Sequence, residues 1–102
     1  MISAEQSYLK QSVLSLDPIK LVVKMYDLIS QSCYREDKDK VIKLLSELIH
    51  HLNFEYDIST SLFGIYNYCQ NLARESKFEE IQEILEPLRI TWQELAEIEI
   101  NK

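Results

Sequence analysis

One glycine in 102 residues is the tightest constraint on what this chain can fold into. Glycine takes positive φ at no steric cost and lets backbone approach a ligand closely. A chain with almost none has little access to two-residue β-hairpins, dinucleotide-binding fingerprints or phosphate loops. What remains is a fold whose connections are made by capping side chains, and hydrophobic spacing points to helix throughout.

The start signals are explicit. Ser3 and Gln6 have capping-box spacing ahead of a short amphipathic stretch over residues 4–13. Asp17-Pro18 supplies a capping aspartate and a residue already shaped for the first helical position, so a long helix is expected over residues 18–35. The charged run 35–40 makes a turn, and a second helix follows to about residue 53. Residues 53–57 link it to a third, which ends near residue 75. Ser76 with Glu79 repeats the capping-box spacing and opens a fourth helix reaching close to residue 102, with Pro87 expected to kink it. Short links force neighbours to run antiparallel. The expected fold is therefore all-α: an antiparallel up-down four-helix bundle with a short N-terminal helix. It forms one domain over residues 1–102, with 1–16 as an N-terminal cap segment and 17–102 as the bundle. No internal repeat and no low-complexity segment is visible.

Charge and composition remove several functions. Net charge is −6. Residues 75–102 hold eight acids against three bases, while residues 1–74 are nearly balanced. That sign argues against a phosphate-backbone footprint, so nucleic acid is not an expected partner. Apolar runs are only a few residues long and no basic-then-apolar leader opens the chain, so neither membrane insertion nor export is expected. Cys33 and Cys69 sit inside apolar stretches and read as buried free thiols of a cytoplasmic protein.

Catalysis finds no support either. Glu47-Leu48-Ile49-His50 is half of a di-metal carboxylate site, but the second Glu-x-x-His is missing and His50 falls on the polar face of its helix. No serine, cysteine, histidine and acid form a recognisable nucleophilic set. No enzyme activity, metal or cofactor is expected. The unexplained quantity is apolar surface. On the first long helix Leu21, Met25 and Leu28 make a second stripe beside the core stripe, giving an apolar arc of roughly 240° against the ≳100° an ordinary surface helix needs. Tyr8, Leu9 and Val13 in the cap segment and Phe63 on the third helix add to it. Such a surplus suits a groove for a partner's amphipathic helix, with the cap segment as a displaceable plug, or else a homodimer interface. The lone glycine, Gly64, falls mid-helix beside Tyr68, where it either admits a close neighbour or is merely tolerated.

Four segments in order carry a resemblance. Tyr8-Leu9-Lys10-Gln11-Ser12-Val13 with Asp17-Pro18-Ile19-Lys20-Leu21-Val22-Val23-Lys24-Met25-Tyr26-Asp27, then Leu52-Asn53-Phe54-Glu55, Ile65-Tyr66-Asn67-Tyr68 and Leu88-Arg89-Ile90-Thr91-Trp92, resemble the motifs of the FliS family of flagellin-export chaperones. The chain departs from the family pattern at Leu28, at the absence of a Gly-Gly stretch after Glu55, in its shorter inter-helix regions and at Pro87. The resemblance implies a cytoplasmic, ATP-independent bundle that holds the disordered C-terminal segment of flagellin or a flagellin-like export client. Holding it blocks premature polymerisation and presents the client to a component of the flagellar export gate. It also implies that Tyr8 and Val13 belong to the mobile cap, Leu21, Met25 and Tyr26 to the groove on or near the first long helix, and Tyr66 and Tyr68 to its wall; Tyr26 also sits within the main apolar stripe, which would instead make it core. The alternative is a helical interaction or dimerisation module for another amphipathic-helix partner.

Overall fold

A computed structural model describes residues 18–100, so the N-terminal helix expected over residues 4–13, and Asp17 as a cap, lie outside the described residues. The described residues form four α-helices and no strand: α1 Pro18–Tyr34, α2 Lys38–His50, α3 Asp57–Arg74 and α4 Phe78–Ile100. Helix α1 packs on α2 and α4, α2 on α3, and α3 on α4, making a helical bundle. The helix periods that predicted the elements also predicted most of the core. Tyr26, Ile29 and Cys33 of α1, Val41, Leu45 and Leu48 of α2, Leu62, Cys69 and Leu72 of α3, and Phe78, Ile81 and Leu85 of α4 form one buried cluster.

Capping chemistry explains where the helices stop, and it corrects two expectations. Asp37 caps α2, its carboxylate accepting from Lys40 N at 3.3 Å. Helix α2 ends at His50 and not near residue 53, because Asn53 organises a competing turn. Its side-chain oxygen accepts from Glu55 N at 3.0 Å, and its carbonyl accepts from Tyr56 N at 3.1 Å and from Ser59 Oγ at 2.6 Å. Ser76 does not open α4. It closes α3, with φ 61°, and the chain reverses through paired bonds from Ser76 N to Ala73 O and from Lys77 N to Leu72 O, both 2.9 Å. Glu36, φ 56°, closes α1 in the same manner, through Glu36 N to Cys33 O at 3.0 Å and Asp37 N to Ser32 O at 2.9 Å. A residue with this conformation cannot also present the extended backbone that a cap at the start of the next helix requires.

Both positions ordinarily take glycine, since a side chain in the left-handed region costs about 1–2 kcal/mol. The one glycine sits elsewhere. Gly64 is exposed, and a Cβ built on it meets nothing within 4 Å, so no neighbour exploits the gap. The chain thus lacks glycine where the fold would use it and spends its single one where the fold does not. Glu36→Gly, Ser76→Gly and Gly64→Ala are each expected to raise stability by about 0.5–1 kcal/mol, read as a higher urea midpoint at unchanged m-value.

The two reversals lie forty residues apart, and so do the two tyrosines whose hydroxyls meet at 2.6 Å in the core, Tyr26 and Tyr66. The same shift pairs buried Val41 with Ile81 and Leu45 with Leu85. It also exchanges two of the polar ties between helices: Gln70 donates to Ile42 O at 3.1 Å, and Gln82 donates to Ser30 O at 3.2 Å. The α1–α2 and α3–α4 segments thus share buried positions and turn conformations at a spacing of forty residues. Over 26–52 and 66–92 only Tyr26/Tyr66, Leu45/Leu85 and Leu48/Leu88 keep the same residue, so burial and turn conformation repeat where identity does not. The two reversals share one end of the bundle, where Lys38 Nζ donates to Arg74 O at 3.1 Å. No helix among the described residues is long and apolar enough to cross a membrane.

Candidate functional site

At the end of the bundle away from the two reversals, the helices do not close over the core. Ile19 and Val22 of α1, Leu48 and Leu52 at the end of α2, Tyr56 in the following turn, Ile58, Leu62 and Tyr66 of α3, and Trp92 of α4 line an apolar groove of about 310 Å³. Val22 and Leu62, and Leu52 and Trp92, stand forty residues apart in sequence, and among the described residues no further element covers the groove they line. Ile58, at the mouth, is 62% exposed.

The floor is polar but satisfied. The Tyr26 and Tyr66 rings meet edge to face, centroids 6.2 Å apart, beneath their hydroxyl bond. Burial raises the pKa of both phenols; for Tyr26, the hydrogen bond with Tyr66 opposes part of the rise. The rim offers little unused hydrogen bonding. Ser59 and Asn53 bond one another, and His51 Nδ1 lies 2.7 Å from Glu47 O. Burial pushes the Cys33 thiol up to about 11 and Cys69 to about 12, so both are protonated at neutral pH and are not activated nucleophiles. Among the described residues no group of three histidine, cysteine or acidic side chains is placed to hold a metal ion. What this groove can do is bury apolar side chains.

The residues singled out from the sequence are only partly gathered here. Tyr8, Leu9 and Val13 lie outside the described residues. Met25 is core, not groove, at 7% exposure, and Leu21 packs against that same core, so most of the second α1 stripe is consumed internally. Leu28 is half-buried. Tyr66 is buried, and it reaches the groove as its floor. Tyr68 is exposed but does not line the groove. Phe63 is exposed on α3 and stands edge to face with Phe54, centroids 6.0 Å apart. Ile19, Val22, Leu48, Leu52, Tyr56, Ile58, Leu62 and Trp92 were not singled out as site residues. Most continue a core stripe to its last turn, and helical periodicity cannot distinguish a covered last turn from an open one. Tyr56 and Ile58 did carry a signal: large apolar residues beside the turn that links α2 to α3.

A helical bundle with an apolar end groove defines a binding protein more than a chemical one. A family model, "Flagellar protein FliS", matches residues 34–99, well over half of the chain. The chain belongs to the FliS family, a family of flagellar export chaperones and not of enzymes. The match includes three of the four resembling segments and stops short of the longest, residues 8–27. No curated protein and no solved structure matches the chain.

Proposed function

We propose that this protein is a cytoplasmic flagellar export chaperone that holds the disordered C-terminal segment of flagellin, or of a flagellin-like client, with its end groove as an anchor point. In this reading the helices alternate direction, up and down, which sets the groove between the start of α1 and the end of α4. In this reading Tyr8, Leu9 and Val13, in the segment that leads into α1 just before Ile19, compete with the client for the groove. Client binding blocks premature polymerisation, and release occurs at the export gate. The observation that supports this reading is the apolar, chemically inert groove whose residues, from Leu48 to Trp92, fall within the family match.

The groove is expected to work by desolvation. Ile58→Glu places a carboxylate at the mouth without touching the buried core, and it should weaken binding of a flagellin C-terminal peptide about 30-fold or more, equivalent to about 2 kcal/mol. Far-UV circular dichroism should be unchanged. Fluorescence anisotropy that finds wild-type affinity in the Ile58→Glu variant would remove the groove from client binding. Phe63→Glu, on another face, then tests the exposed aromatic surface of α3 as the client site.

A further inference from the structure

We propose that the outer face of α4 is a second docking surface, for a protein segment whose apolar side chains are flanked by lysine and arginine. Two isoleucines lead to it. Ile90 is 45% exposed and Ile98 57% exposed, and they lie eight residues apart, on the same side of the helix. Neither serves the core. Trp92, only two positions from Ile90, turns about 200° away into the bundle and the groove, so one helix offers an inner face to the client site and an outer face to solvent.

Charge selects the occupant. Helix α4 carries seven glutamates and one arginine, while the rest of the chain carries ten acidic and ten basic residues. The whole net charge of −6 therefore sits on this helix. Ile90 is framed at helical spacing by Glu83 and Glu86 on one side and Glu94 and Glu97 on the other. Glu86 is held by Arg89 at 2.8 Å, and Arg89 also reaches Asp27 at 3.8 Å. Glu83, Glu94 and Glu97 have no ion-pair partner among the described residues. Burying the isoleucines against a neutral or acidic surface would desolvate those carboxylates without compensation. A second copy of this chain would bring glutamate against glutamate, and nucleic acid or an anionic membrane is repelled. A basic-flanked apolar segment satisfies both features, the apolar centre supplying affinity and the charged rim supplying orientation and association rate.

The test uses the full-length protein with a fluorescent amphipathic leucine–lysine peptide of about 18 residues and its leucine–glutamate counterpart. The lysine peptide should bind, the more weakly as salt rises, and the glutamate peptide should not. Ile90→Ser/Ile98→Ser should weaken binding about tenfold or more. Glu83→Gln/Glu94→Gln/Glu97→Gln should weaken it and flatten the salt dependence, while the charge-matched control Glu36→Gln/Glu55→Gln/Glu75→Gln leaves both unchanged. A saturating flagellin C-terminal peptide should leave the binding intact, which separates this surface from the groove whether or not flagellin is the groove's ligand. Three results would each overturn the proposal: equal binding by the α4 and control variants, displacement by the flagellin peptide, or self-association in sedimentation that Ile98→Ser abolishes.

Discussion

Taken from about pH 8 to about pH 11, the protein is expected to lose on the order of 5 kcal/mol of folding stability, enough to unfold a domain of ordinary stability, about 5–15 kcal/mol. The cause is four protons that the native core retains and the unfolded chain releases. Cys33 and Cys69 are almost wholly buried, and burial moves their thiols from an ordinary value of 9.0 to about 11 and about 12. Tyr26 and Tyr66 are raised from 10.0 by the same desolvation. Each group has a folded pKa above its unfolded one, so below the unfolded value both states hold the proton and stability is untouched. Above it the unfolded state binds fewer protons, and stability falls by about 1.4 kcal/mol per pH unit and group until the folded value is reached. The thiols act first, between about pH 9 and 10, and the phenols join them above that. Urea midpoints measured along this range should decline with a slope that steepens near pH 10. Cys33→Ala/Cys69→Ala should flatten the lower part of the curve and leave the upper part. A midpoint that stays level to about pH 11 would mean that the thiols ionise within the native state, which a closed core forbids.

The parts of this molecule that were readable from the residues are those set by local chemistry. Pro18 marks the start of α1, and the 3.6-residue period of Val41, Leu45 and Leu48, or of Ile81 and Leu85, marks core positions. Ser76 shows the limit of such reading. Ser-x-x-Glu spacing suits a helix start, but the same serine lies two residues past the end of α3, and a residue claimed by the preceding helix is not free to cap the next. Met25 shows another limit. Two apolar stripes on α1 looked like one more than a bundle can use, yet α1 has neighbours on two sides and buries both Met25 and Leu21. The surplus apolar surface is real but lies elsewhere: at Tyr56 and Ile58 beside the groove, at Tyr68, and on α4 at Ile90 and Ile98. The groove itself was not legible because, among the described residues, it is an absence of cover, and periodicity describes only what a helix presents. The forty-residue correspondence was hidden for a related reason. What it conserves is a left-handed residue at 36 and 76 and a buried ring at 26 and 66, and glutamate and serine at the first pair conceal the first of these.

That ring pair makes the second large prediction. Tyr26 and Tyr66 share one hydroxyl–hydroxyl bond in surroundings with almost no water, at 2% and 1% exposure, so removing either oxygen strands the other. A stranded buried hydroxyl costs about 1–3 kcal/mol, whereas removing both partners at nearly constant shape costs little. Each single variant, Tyr26→Phe or Tyr66→Phe, should therefore cost about 1–3 kcal/mol. The double variant should cost less than the sum of the singles by about 1 kcal/mol or more. Strict additivity would show that the hydroxyls do not interact.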